Sequence, residues 1–481
     1  MQLIWLRSDL RVHDNTALAA AMEQGPTVAA YVISQGQWRL HDDAACKVDF
    51  WLRNLVALKT ALAALNVPLL IVHADTWDKA PAALLDLCKR HAIEKVHVND
   101  EYGINETRRD AAVAEALSDA GIQFQGHLDQ LFFKPGSVLT KTGSYFKVFT
   151  QFRKVCYVRL HHGVPPLVRL PGKQNAPKIA ADDIPSQVDG FESPSDSLRA
   201  LWPAGEDEAS KRLSTFADAQ IEHYLDERDF PAKPGTSQLS AYLAAGVISP
   251  RQCLHAALSS NQGEFETGNA GSITWINELL WREFYKHVLT GFPRVSRHRA
   301  FRPDTEAVKW RNAPKDLEAW QQGRTGFPIV DAAMRQMLET GWMHNRLRMV
   351  VAMFFSKNLL LDWRDGERFF MQHLIDGDLA ANNGGWQWSS STGTDSSPYF
   401  RIFNPLSQSE RFDPQGVFIK HWVPELAARN KKDIHNPVAQ GGLFAEADYP
   451  APIVDLKSSR ARALAAFKSL PHLQPVGEGL E

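Results

Sequence analysis

Apolar residues in the first 128 positions fall into two patterns. Short runs, LIWLR (3–7), TVAAYVI (27–33), PLLIVH (68–73), KVHVND (95–100) and IQFQGH (122–127), have the length of strands and stand between polar, turn-forming stretches. Between them, 15–24, 44–65, 77–92 and 105–120 repeat apolar residues every three to four positions, as an amphipathic helix does. Strand–helix alternation of this kind predicts a parallel sheet with right-handed crossovers, a Rossmann-like α/β domain over 1–128. After the first run the chain reads RSDLRVHDN, without the glycine-rich turn that cradles a pyrophosphate. A dinucleotide of the usual Rossmann kind is therefore not expected in this sheet.

From 129 to 200 the periodicity loosens around Pro135, Pro165, Pro166, Pro171, Pro177, Pro185 and Pro194, which predicts an interdomain connector. Beyond it the pattern is helical: 208–228, 237–245, 250–259, 271–290, 327–340, 344–358 and 364–375 all carry apolar stripes. The expected second domain, 201–475, is all-α.

The 481 residues suffice for two domains at about 150 residues each. With 44% hydrophobic and 22% charged residues, the chain is not disordered, collagen-like or coiled-coil. Fifty-three Lys and Arg against fifty-five Asp and Glu leave a formal charge of −2, so any polyanion must be met by a local basic face. Cys46, Cys88, Cys156 and Cys253 form no CxxC pair and no Cys/His cluster, which argues against zinc, iron–sulfur or disulfide chemistry and fits a reducing cytoplasm. No apolar run reaches about 18 residues and no leader precedes the first strand, so neither a membrane span nor a signal peptide is expected. There are fourteen Trp, eight of them (Trp275, Trp281, Trp310, Trp320, Trp342, Trp363, Trp386, Trp388) in about a quarter of the chain. They either fill a helical core or form a ring system with an electronic or stacking role.

Candidate chemistry collects in four stretches. GTSQLSAYLAAG (235–246) sets Thr236, Ser237 and Ser240 at a helix start, as an ordinary cap or as an anion site. WINELLWREFYKHVL (275–289) places Glu278, Trp281 and Arg282 about one turn apart beside Trp275, with Glu278 either paired to an Arg or held for function. In WMHNRLRM (342–349), Arg346 and Arg348 serve phosphate contact or simple solubility. In DGDLAANNGGWQWSSSTGTD (376–395), Asp376 and Asp378 lack a third carboxylate or His at ligand spacing, so no metal is expected.

These stretches, with RDFPAKPGTSQLSAYLAAGVISPRQCL, GFPIVDAAMRQMLETGWMHNRLRM, PYFRIFNP and the N-terminal WLRSDLRVHDN, occur in an order that resembles the photolyase/cryptochrome family. The resemblance covers nearly the whole chain and is strongest to the class I cyclobutane pyrimidine dimer (CPD) photolyases of bacteria. It implies a U-shaped FAD in the helical domain. Tyr224, Thr236, Ser237, Gln238, Leu239 and Ser240 would meet its phosphates, with Gln238 standing where relatives often carry Arg. Trp275, Glu278 and Arg282 would line the pocket, and Asn345, Arg348, Asp376, Asp378 and Asn382 would address the ring system and ribose. The implied reaction is light-driven DNA repair, in which excited FADH⁻ lends an electron to a pyrimidine dimer extruded from the duplex.

By the same resemblance Trp281 and Trp388 offer apolar faces to the flipped dimer, Glu278 hydrogen-bonds it, and Asn345 and Met349 complete the wall. Arg228, Arg346, Arg401, Ser407 and Arg411 would contact DNA. Trp386, Trp363 and Trp310 match the tryptophans that carry electrons from the surface to the flavin. His41, Asn105, Glu106 and Arg297 resemble a 5,10-methenyltetrahydrofolate antenna site, with Arg297 in place of the usual Lys and a deazaflavin or an empty site as alternatives. The implied protein is a monomeric lyase of the bacterial cytoplasm, acting at the nucleoid on UV-damaged DNA. A cryptochrome-type signalling flavoprotein is the competing expectation.

Overall fold

The computed structural model describes residues 1–437 and 449–470. Five strands, β1 (Gln2–Leu6), β2 (Thr27–Ile33), β3 (Leu69–His73), β4 (Lys95–Asn99) and β5 (Gln123–His127), form one sheet in the order β3-β2-β1-β4-β5. Every pairing is parallel, with Gln2 opposite both Thr27 and Lys95 and Ala29 opposite Leu69. β1 and β2 are buried at every position, as a sheet covered by helices on both faces requires. The expected α/β fold and the strand positions, within a residue or so, are borne out.

The chain divides into two compact units. The first comprises Met1–Asp226, Thr236–Pro293 and Met371–Ala380, and the second comprises Glu227–Gly235, Arg294–Phe370 and the chain from Ala381 onward. The stretch expected as a connector contains a 14-residue helix, Phe149–His162, whose Phe149, Phe152, Cys156 and Leu160 are buried.

Within the first unit a buried ionic network joins the sheet to the helices. Arg11 meets Asp129 at 2.5 Å, while Arg251 on the Pro250–Ser260 helix meets Asp129 at 2.9 Å and Asp14 at 3.0 Å. Burial alone would raise the Asp129 carboxyl, but the two guanidiniums outweigh it and hold it below its ordinary range. Gly246, at φ +66, closes the same junction: a Cβ there would fall on the Ser8 backbone. Arg251→Met strips both acids of a partner, and chemical denaturation is expected to show a loss of about 3–5 kcal/mol.

The second unit is helical. Its longer helices are Pro314–Gln321, Pro328–Thr340, Asn345–Met353, most of Trp363–Met371 and of Leu379–Ser390, Pro405–Phe412 and Leu456–Lys468. The expected helix over 344–358 is α only to Met353 and then continues as a π turn, Phe354–Asn358.

Candidate FAD and DNA site

In the first unit the 22-residue helix Ala270–Gly291 carries Trp275, Glu278, Trp281 and Arg282, and is capped by Asn269, whose side chain accepts from the Ser272 amide at 2.8 Å. Trp275 is buried against Phe216 with ring centroids 5.0 Å apart. Arg282 donates to the Gln130 carbonyl at 2.6 Å. Trp281 stacks on Phe149 at 3.7 Å and 11° and remains half-buried, so one face is covered by protein.

The predicted helix start at 237 lies further on. The helix is Ser240–Ala245, with no side-chain cap. Thr236 and Ser237 precede it, half-buried, and Gln238 takes a left-handed φ of +50. Uncapped first-turn amides among three hydroxyl residues are a donor set suited to phosphate oxygens. Arg212 donates to the Gln238 side-chain oxygen at 3.3 Å, so a guanidinium stands beside this position. Leu239 and Tyr224 are buried. Asp376 is 7% exposed, and Asp378 pairs with Lys286 at 2.6 Å.

In the second unit Asn345, Arg346, Arg348 and Met349 share the Asn345–Met353 helix, capped by His344. Arg348 is tied to the Met343 carbonyl at 2.8 Å. Arg346 pairs with Asp229 at 2.6 Å and lies over the Phe412 ring at 4.6 Å, where Arg411 also lies at 5.1 Å. Arg228 stands 3.9 Å from the same Asp229. The structure thus brings Arg228, Arg346 and Arg411 together around one ring and one acid. Arg401 and Ser407 are exposed, Ser407 on the same short helix as Arg411.

Asn382 donates its amide nitrogen to the Glu367 carbonyl at 2.9 Å. Its oxygen is left as the acceptor, which complements an N–H donor such as the N5–H of a reduced flavin. Trp363 and Trp386 are 1% and 2% exposed, and Trp310 is half-buried. The Trp386 ring rests on Gly366, one turn after Trp363 on the same helix, where any Cβ would collide with it. Trp386 Nε1 is buried without a hydrogen-bond partner among the described residues. Trp388 is half-buried, and its carbonyl accepts from Ser397 at 3.2 Å. Within the first unit the hydroxyls and amides suit the phosphates of FAD, and within the second the Asn382 acceptor suits its N5–H.

Sequence reasoning assigned no role to Trp320. It is fully buried and packs edge-on to Trp386 at 6.0 Å, and only its place among the clustered tryptophans hinted at it.

Of the antenna candidates, His41 and Asn105 meet at 3.0 Å in the first unit, with Trp77 edge-on to the His41 ring at 4.7 Å. Glu106 follows Asn105 on the helix Ile104–Ser118, and burial, then the nearby Glu101, pushes its carboxyl up to about 7. Arg297 is exposed and belongs to the second unit. Among the described residues no three His, Cys, Asp or Glu are grouped to hold a metal, and no helix is long and apolar enough to cross a membrane.

The family model for DNA photolyase matches residues 2–170, and that for the FAD binding domain of DNA photolyase matches residues 275–469. A deoxyribodipyrimidine photo-lyase of Escherichia coli is 44% identical over 97% of this chain and 98% of its own length. The mitochondrial one of Saccharomyces cerevisiae is 36% identical over 96% of this chain and 86% of its own. Among solved structures, a class III photolyase of Agrobacterium tumefaciens superposes with a TM-score of 0.86 at 35% identity, covering 97% of both chains. A Synechocystis cryptochrome gives 0.85 at 25% identity, covering 97% of this chain and 99% of its own. With relatives this similar along almost its full length, the chain belongs to the photolyase/cryptochrome family, as an FAD-dependent enzyme of light-driven DNA repair.

Proposed function

We propose that the substrate is a cyclobutane pyrimidine dimer in UV-damaged DNA, split by deoxyribodipyrimidine photolyase activity. The observation that carries this reading is Asn382, whose committed amide nitrogen leaves an acceptor for the reduced, N5-protonated flavin that repair requires. When bound, reduced FAD supplies the light-excited electron that opens the cyclobutane ring and takes it back afterwards. Thr236, Ser237, Gln238, Leu239, Ser240 and Tyr224 hold the phosphates. Trp275 and Arg282 line the pocket, and Asn345, Arg348, Asp376 and Asp378 address the ring system and ribose. Trp281, already stacked on Phe149, gives its other face to the flipped dimer, as does Trp388, with Met349 and Asn345 excluding water. Glu278 hydrogen-bonds the dimer's carbonyl and N–H edge and steadies the charged ring. The division of labour is a sheet domain over 1–128 for the antenna, a connector over 129–200, and 201–475 for FAD and DNA. We take the protein to work as a monomer on DNA in the bacterial cytoplasm, at the nucleoid. Blue-light repair of a dimer-containing oligonucleotide tests the proposal.

Arg228, Arg346, Arg401, Ser407 and Arg411 form the DNA face. Arg346→Ala is expected to weaken binding of damaged DNA and to lower the salt slope by roughly one, because each neutralised phosphate releases about one counterion. A titration at several salt concentrations reads this, and an unchanged slope would assign Arg346 to its Asp229 pairing alone.

His41, Asn105, Glu106 and Arg297 hold 5,10-methenyltetrahydrofolate. Added reduced folate gives a near-ultraviolet band that Glu106→Ala removes without loss of FAD. A pterin presents N–H donors, which favour the Glu106 carboxylate over the carboxylic acid. Because burial raises this carboxyl to about 7, the acid form prevails below that pH, and the band should strengthen as pH rises through it. A band unaffected by both the substitution and the pH would place the chromophore elsewhere.

A further inference from the structure

Lys357 is fully buried, in the π turn Phe354–Asn358 that ends the Asn345–Met353 helix. Lysine is almost never fully buried unless paired, yet among the described residues no carboxylate is recorded against this ammonium. It donates to Ser391 Oγ at 2.8 Å and lies over the Phe467 ring, 3.7 Å from its centroid. Phe467 in turn is edge-on to Trp310, with ring centroids 6.2 Å apart. The chain next to Trp310 is fastened to the end of the same turn, where Arg311 donates to the Leu360 and Leu359 carbonyls at 2.8 Å. Lys357 and Trp310 therefore flank one buried aromatic side chain of the second unit, Lys357 within the core and Trp310 half-buried.

The elements around Lys357 carry mostly cations. The Leu456–Lys468 helix carries Lys457, Arg460, Arg462 and Lys468, its acidic cap Asp455 being exposed and engaged by the Ser458 amide, and the Asn345–Met353 helix carries Arg346 and Arg348. On the loop after Ser390, Asp395 is exposed. Burial first, and Arg302 second, pull the Lys357 ammonium down to about 7.

We propose that Lys357 is a positioning charge for the electron relay, one that makes oxidised Trp310 give up its proton. The inference rests on the reading of Trp310 as the solvent end of that relay. When an electron moves inward from the Trp310 indole, drawn by a photo-excited flavin, the indole is left as a radical cation. A second positive charge across Phe467 repels that cation but not the neutral radical formed when the N–H proton passes to water. Lys357 thus favours proton loss, which hinders return of the electron. Nothing in repair by an already reduced flavin calls on this charge.

Time-resolved absorption of the tryptophan radicals in the FAD-loaded protein reads the effect. Lys357→Met keeps the packing on Phe467 and removes the charge. It should shift the Trp310 deprotonation equilibrium about tenfold toward the radical cation at pH 6. Wild type should approach the variant as pH rises from 6 to 8.5, because its ammonium is lost over that range. Ser391→Ala removes the hydrogen bond and keeps the charge, so it should behave as wild type. Equal radical kinetics in wild type and Lys357→Met overturn the inference, and so does a Ser391→Ala change as large as that of Lys357→Met. If Lys357→Met does not fold, wild-type kinetics that are flat from pH 6 to 8.5 overturn it equally. Trp310→Phe run in parallel separates the two readings. Photoreduction surviving that substitution refutes the relay assignment, whereas its loss beside unchanged Lys357→Met kinetics refutes only the role of Lys357.

Discussion

Trp310→Phe is expected to fold, bind FAD and bind damaged DNA, and yet fail to photoreduce oxidised flavin. The substitution keeps an aromatic plane against Phe467 and removes the oxidisable indole. Trp310 is the half-buried member of the three, while Trp363 and Trp386 are within the core, so it is the one able to pass charge to solvent. Gly366, with no side chain, lets the Trp386 ring lie on the helix that carries Trp363. Repair started from chemically reduced enzyme should proceed at the wild-type rate. Steady illumination of the oxidised protein with a donor in solution reads the first effect, and a flash-repair assay the second. Photoreduction at the wild-type rate would make Trp310 a packing residue.

The second large effect is selectivity between lesions. Repair of a (6-4) photoproduct needs a proton delivered to the lesion, and the family resemblance implies two His in the region of WMHNRLRM for that task. Here those positions hold Asn345 and Met349. The neighbouring His344 is 2% exposed and serves as the helix cap, its Nδ1 accepting from the Arg346 amide at 3.2 Å. Burial pulls its pKa down to about 4, despite the nearby Asp229, so at neutral pH it is uncharged and has no extra proton to give. Oligonucleotides with each lesion should separate completely: cyclobutane dimers repaired under blue light, (6-4) photoproducts untouched.

The strands were legible because buried parallel strands are continuous apolar runs, and TVAAYVI matches β2 residue for residue. The Phe149–His162 helix carries a readable stripe, but the prolines around it dominated the reading of that stretch. The Leu379–Ser390 helix was illegible for a different reason. Asn382, Asn383, Gly384 and Gly385 are poor helix formers, and tertiary bonds override them. Asn382 and Asn383 bind Glu367, while Gln387 binds Asn383 at 2.8 Å. At the candidate site, residue identities were readable from motif order, whereas partners distant in sequence were not. Nothing in WMHNRLRM announces Asp229 as the partner of Arg346, 117 positions away, and nothing in FFSKN announces a buried lysine.

The central claim is that this protein uses light and reduced FAD to split cyclobutane dimers. Its most direct test is a single-turnover assay with purified, chemically reduced protein and an oligonucleotide carrying one cyclobutane thymine dimer, in darkness and under blue light. Restored thymines are expected only under illumination, in proportion to the FAD bound. Equal repair in darkness, or none under light from protein that retains reduced FAD and binds the damaged DNA, would contradict it.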